Sequence, residues 1–165
     1  MITHVIELEK ILESELLLHE RLLAAARSMN SAIKRESVDD VRTANKEYDE
    51  CTCHIEAMEE KRLALSDDIA GQRGIEPHAN LSRIIESLPV SERGILFELR
   101  VKLRATLGEI QKTNIANRVL LTESLYTIAK TFEFIAAANE KFKGYKQLGK
   151  KYSSTIKRTI INTVA

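Results

Sequence analysis

In the last long segment of the chain, a set of mostly apolar residues recurs at steps of three and four positions, and we call this set the stripe. This spacing is typical of a helix that packs along its length against other helices. Two amides, Asn114 and Asn117, fall within the stripe, and a buried amide costs free energy unless it is hydrogen-bonded. We therefore predict that they fix the helix register from the inside; exposure at a helix edge and contact with a ligand are the alternatives. The stripe consists of Ile110, Asn114, Asn117, Leu121, Leu125, Ile128, Phe132 and Ile135.

Two earlier segments have the same helical period. Leucines at positions 16–18 and 22–23 widen the apolar side of the first segment, which predicts burial against two helices. Only a few residues separate it from the second segment, so the two should form an antiparallel hairpin. We predict an all-α fold: a long-helix hairpin, a short helix and a third long helix in an elongated, coiled-coil-like bundle. The helices are expected at about 3–35, 38–70, 80–88 and 91–142.

Start and stop signals accompany these segments. Ser37 is predicted to cap the second helix, and Gly71 and Gly74 with Pro77 beyond them to end it. Ser91 is predicted to cap the last helix. These signals place residues 1–142 in one helical bundle.

Composition and charge refine this picture. The chain has 165 residues, two Pro and no Trp, and no apolar stretch long enough to span a membrane. Its first residues lack the pattern of a signal peptide, so we expect a cytoplasmic protein with reduced thiols. Residues 141–165 contain seven Lys or Arg and no acid, whereas residues 1–140 contain 18 basic and 24 acidic residues. We therefore expect residues 143–165 to form a basic tail that is mobile in the free protein.

The sequence contains no arrangement of residues that is typical of an active site. Cys51 and Cys53 would point about 200° apart on a helix, and Cys51 with His54 does not complete a zinc site. His19 lies on the apolar stripe of the first helix, where a hydrogen-bonded core histidine is the favoured interpretation. No glycine-rich phosphate loop, zincin helix or nucleophile elbow occurs. We predict a binding protein with no catalytic residue, no metal and no cofactor.

Three motifs follow one another in the second half of the chain. They are Leu88-Pro89-x-x-Glu92-Arg93, then Ile110-Gln111-x-x-Asn114-x-x-Asn117-Arg118-x-Leu120-Leu121-x-x-Ser124-Leu125, then Tyr145-x-x-x-Gly149. In this ordered set the sequence resembles the FlgN family of flagellar export chaperones. The resemblance covers roughly residues 5–150 and rests on the order of the motifs rather than on one match. The long basic tail after Gly149 departs from the family pattern.

The resemblance implies a cytoplasmic, non-enzymatic chaperone of the flagellar type III secretion apparatus. Such a protein binds the C-terminal amphipathic segments of the hook–filament junction (hook-associated) proteins, prevents their premature assembly and delivers them to the export gate. A surplus apolar stripe on the last helix suits that task, because it can cover a client helix. We predict client contacts at Val119, Leu125, Ile128, Phe132 and Ile135, for each of which ordinary core packing is the alternative. Tyr145 and Gly149 are predicted to dock on the export gate or its ATPase components.

The sequence is also compatible with two other functions. The chain can be a self-associating coiled-coil adaptor without a secretion client, and a homodimer is compatible with either interpretation. It can also bind a polyanion through its basic tail, where Phe142, Tyr145 and Tyr152 alternate with lysines. An acidic body argues against a nucleic-acid or membrane binder, since such domains usually present a basic face as a whole.

Overall fold

A computed structural model describes the backbone of residues 2–145 and the side chains of residues 3–137. Within that range the chain forms four helices and no strand: α1 (Ile2–Lys34), α2 (Val38–Arg73), α3 (Leu81–Ser87) and α4 (Val90–Tyr145). The predicted all-α fold class is confirmed. By its contacts the chain divides into two units, residues 1–124 (unit 1) and residues 125–165 (unit 2).

Unit 1 is a three-helix bundle closed at one end by α3. α1 and α2 form the predicted antiparallel hairpin, in which Glu15 of α1 meets Arg62 of α2. The first part of α4 runs parallel to α1, because Leu96 packs in one cluster with Leu8 while Asn117 is hydrogen-bonded to α1 further along, at Ala26.

The core of unit 1 consists of two apolar clusters. The larger one joins all four helices around side chains that are almost completely excluded from solvent, among them Leu8, Leu12, Ile84 and Leu96. The smaller one contains Leu22, Cys51, Ile55 and Ile110. Burying a side chain of this size stabilises the fold by about 1.5–3 kcal/mol, so the clusters account for the association of the helices.

Local signals explain where α2 begins and ends. The Ser37 side chain accepts a hydrogen bond from the Asp40 amide at 3.4 Å, which makes it the predicted N-cap. Gly74 has a φ of 66°, and Ile75 N–H donates to the Ala70 carbonyl at 2.9 Å, as in a Schellman motif. The helix therefore continues through Gly71 to Arg73, three residues beyond the predicted end.

The other helix ends lie within three residues of their predicted positions. The Asn80 side chain caps α3 by accepting from the Arg83 amide at 2.9 Å. α4 begins at Val90, directly after Pro89, so Ser91 lies inside the first turn and the prediction of Ser91 as the cap is wrong. The turn between α1 and α2 places Glu36 in the left-handed region, with a φ of 56°.

Candidate binding surface

The α4 stripe carries its two amides into the bundle of unit 1. Asn117 is buried; its Nδ2 donates to the Ala26 carbonyl at 2.9 Å, and its Oδ1 accepts from Asn30 Nδ2 at 2.8 Å. Asn114 is half-buried and donates to the Tyr48 hydroxyl at 2.8 Å. Each amide thus joins α4 to a different helix of the hairpin, and a shift of α4 by one turn would break both sets of bonds.

A buried ion pair joins the two hairpin helices. Arg62 Nε donates to Glu15 Oε1 at 2.9 Å, and only 4% of the Glu15 side chain is exposed. Burial raises the pKa of Glu15, and the neighbouring Arg62 opposes that rise. Neither Glu15 nor Asn30 was predicted from the sequence. For the ion pair a signal is present, because Glu15 lies among the apolar positions of α1 and Arg62 among those of α2.

The residues considered for metal binding are separated in the structure. Cys51 is buried in the smaller cluster, whereas Cys53 and His54 are exposed. His19 is buried, with its Nδ1 at 2.7 Å from the Glu15 carbonyl oxygen within α1. The described residues contain no group of three or more His, Cys, Asp or Glu able to hold a metal ion.

The α4 stripe changes its surroundings along its length. In unit 1, Leu96, Leu99, Leu103 and Ile110 are buried. Leu121 is exposed by 39% although it belongs to the predicted stripe, and Leu107, one turn before Ile110, is exposed by 48%. Leu107 lies at the edge of the hairpin-facing side. Leu121 is one turn past Asn117, where α1 approaches its end at Lys34.

Unit 2 presents the rest of the stripe to solvent. Every described side chain from 125 to 137 is exposed. The four predicted client-binding residues of this unit fall within an arc of about 80° on α4. Their exposed fractions are 66% for Leu125, 52% for Ile128, 68% for Phe132 and 48% for Ile135. We call these four residues the free stripe.

The free stripe has uncharged neighbours. Ala129 and Ala136 flank it on one side and Thr131 on the other, which widens the uncharged arc to about 160°. The two charged residues of positions 125–137 lie outside that arc and pair with each other, Lys130 Nζ to Glu133 Oε2 at 2.8 Å. Lys130 Nζ also lies 5.7 Å from the centre of the Tyr126 ring. The surface is therefore suited to an apolar partner rather than to a charged one.

Val119 does not share this setting. It belongs to unit 1 and lies two residues after buried Asn117, on the side of α4 that is turned away from the hairpin. Its side chain is exposed by 51%. Tyr145 is the last residue of α4, and Gly149 with the rest of the basic tail lies outside the described residues.

A comparison with known protein families shows to which family this chain belongs. The model of the family described as FlgN protein matches residues 1–153. The chain belongs to the FlgN family. FlgN proteins are chaperones that act in bacterial flagellum biogenesis and bind flagellar proteins for export, so the chain has a flagellar export chaperone role in general terms. The match covers both amides, the free stripe and Tyr145-x-x-x-Gly149.

Other comparisons add no relative. Neither the curated proteins nor the solved structures contain a match to this chain. Among the described residues of this FlgN-family protein, no helix combines the length and apolar character needed to cross a membrane.

Proposed function

We propose that this chain is a cytoplasmic flagellar export chaperone whose free stripe binds the C-terminal amphipathic segments of hook–filament junction proteins. Binding keeps these segments from assembling early, and the complex is then delivered to the export gate. One observation carries the proposal: four large apolar side chains of unit 2 stand at helical spacing and are each about half or more exposed. Delivery to the gate rests on family membership alone.

The free stripe fits a helical client. The same step of three and four residues that seats Ile110 and Asn117 against the hairpin continues through Leu125 to Ile135. A client helix laid along it would cover Ile128 and Phe132 at the centre of the contact. Burying the exposed part of each side chain is worth about 1–2 kcal/mol, so the client must add comparable apolar area of its own to offset the entropy of association.

The uncharged arc around the free stripe predicts how binding responds to salt. Lys130 and Glu133 are paired with each other outside the arc, so no charge of positions 125–137 faces the proposed client. Client binding should therefore change little between low and high ionic strength. A polyanion held by the basic tail would instead be released steeply by salt.

Titration calorimetry with the C-terminal ~40 residues of the junction proteins, beside a scrambled peptide, tests the proposal; that length allows an amphipathic helix to form. The full-length chain is compared with Phe132→Asp and with Phe134→Asp as the matched control. The two phenylalanines are similarly exposed, at 68% and 75%, but point to nearly opposite sides of α4. We expect saturable binding with a negative heat-capacity change, weakened at least about 30-fold by Phe132→Asp and little affected by Phe134→Asp.

Two results would overturn the proposal. The first is the absence of binding by any junction-protein segment at high protein concentration. The second is equal loss of binding in both variants, or in neither, since the client would then not lie on the free stripe. Circular dichroism of each variant verifies that the helices are retained, as expected for substitutions at exposed positions.

A further inference from the structure

α4 has a second apolar face in unit 1, on the side opposite to Asn117. Four exposed side chains form it, each exposed by between 49% and 59%: Phe97, Val101, Ile115 and Val119. Three small residues lie on the same side of α4: Gly94 before Phe97, and Ala105 and Gly108 between Val101 and Ile115. A Cβ placed on either glycine would meet nothing within 4 Å, so the face is open and a second helix can approach it closely. We call these seven residues the outer face.

Charges border the outer face in an ordered way. Arginines 93, 100, 104 and 118 lie along one edge, and glutamates 98, 109 and 123 lie along the other together with Lys102. Three of the four arginines, at positions 93, 104 and 118, precede a glutamate by five residues, whereas the position five after Arg100 is occupied by Ala105. Within the chain, Glu109 accepts from Lys112 Nζ at 2.8 Å and lies 3.8 Å from Arg27 Nη2.

A five-residue offset between opposite charges is specific for one kind of helix pair. In two parallel helices packed face to face, a residue on one edge meets the residue five positions later on the opposite edge of the partner. In an antiparallel pair, like edges meet, which here would place arginine beside arginine. The pattern thus selects both the occupant of the outer face and its orientation.

We propose that a second copy of the chain docks on the outer face, with the two α4 helices parallel and the two-fold axis along them. Each charge pair then occurs twice: Arg93 with Glu98, Arg104 with Glu109, and Arg118 with Glu123 of the partner copy. Phe97, Val101, Ile115 and Val119 meet their counterparts along the seam. Next to Phe97 the seam borders a groove between α3 and α4, lined by Ile85, Val90 and Gly94.

The seam predicts a weak and reversible dimer. Lys112 falls on it between Gly108 and Ile115, and a basic residue in a seam lowers stability while fixing register. Exposed charge pairs add little each, so orientation rather than affinity is what they determine. The outer face is separate from the free stripe, and this proposal does not depend on the proposed client.

Analytical ultracentrifugation of the full-length chain over a range of concentrations tests the dimer. Ile115→Asp should abolish it, because the charge would lie in the centre of the seam. Arg104→Glu turns two attractive pairs into repulsive ones and should raise the dimer Kd about tenfold. Adding Glu109→Arg to Arg104→Glu restores opposite charges only in the parallel dimer and should return the Kd to within about threefold of wild type. Lys61→Glu, an equal change of charge at an exposed position of α2, is the control and should have no effect.

Orientation is tested by oxidation of single cysteines in a Cys53→Ser background. Val101→Cys and Val119→Cys lie about 27 Å apart along α4, so only a parallel, in-register pair can cross-link both variants to their own counterparts. A chain that stays monomeric at all concentrations overturns the proposal, even if it binds anionic vesicles through the arginine edge. So does a dimer that survives Ile115→Asp, or one that is strengthened by Arg104→Glu.

Discussion

Replacing Asn117 with alanine removes the amide that ties α4 to α1. Two hydrogen bonds are lost, to the Ala26 carbonyl at 2.9 Å and from Asn30 Nδ2 at 2.8 Å. Each is worth about 1 kcal/mol net. Ala26 is inside a helix, where its carbonyl has a backbone partner, and half-buried Asn30 can turn to water, so the penalty for unsatisfied groups is small. A small cavity adds to the cost, and we expect Asn117→Ala to lower the free energy of unfolding by about 2–3 kcal/mol.

A double-mutant cycle isolates the contact between the two asparagines. Asn30→Ala, Asn117→Ala and the double variant are compared by urea denaturation followed by circular dichroism, at constant m-value. We expect the double variant to lose about 1 kcal/mol less than the sum of the single changes, because the Asn30–Asn117 hydrogen bond is counted in both. Asn114→Ala is the control and should cost about 1 kcal/mol, since its partner, the Tyr48 hydroxyl, is only partly buried.

Two results would refute this reasoning. If Asn117→Ala is as stable as wild type, the buried amide is not held by the hydrogen bonds assigned to it. If the single changes are strictly additive, Asn30 and Asn117 do not interact in solution, and the register of α4 is set by the apolar clusters alone.

Three further predictions concern backbone strain and pH. Glu36→Gly should raise the free energy of unfolding by about 0.5–1 kcal/mol, because Glu36 has a φ of 56°, and thermal unfolding can measure the increase. Gly74→Ala should lower it by about 1 kcal/mol, because its φ is 66° although space for a Cβ is free; equal stability would refute the left-handed cap. Glu15 has a folded pKa above its ordinary value, so the stability that it contributes is present at low pH and is lost as pH rises through the folded pKa. The stability of wild type relative to Glu15→Gln should therefore fall with rising pH across that window in denaturation experiments, and a rise would contradict the assigned cause.

The sequence by itself determined the helices, their order and the hairpin. The helical period of the apolar positions and the residues at the helix ends suffice for this. Ser37, Gly74 and Pro89 act through local backbone geometry, which needs no distant contact. The ordered motifs around Asn114 and Asn117 also indicated the family that the model match then established. These local signals misplaced helix ends by only a few residues, as at Ser91 before α4 and at the end of α2.

Only the tertiary structure decided which partner each side chain has. A stripe at helical spacing records which side of a helix is apolar and not what covers it, so buried Ile110 and exposed Phe132 read alike in the sequence. For the same reason, the sequence did not predict the Glu15–Arg62 ion pair, whose members are 47 positions apart, or the Asn30–Asn117 hydrogen bond, whose members are 87 positions apart. These contacts depend on the register between helices, which is set by the fit of whole surfaces rather than by any local segment.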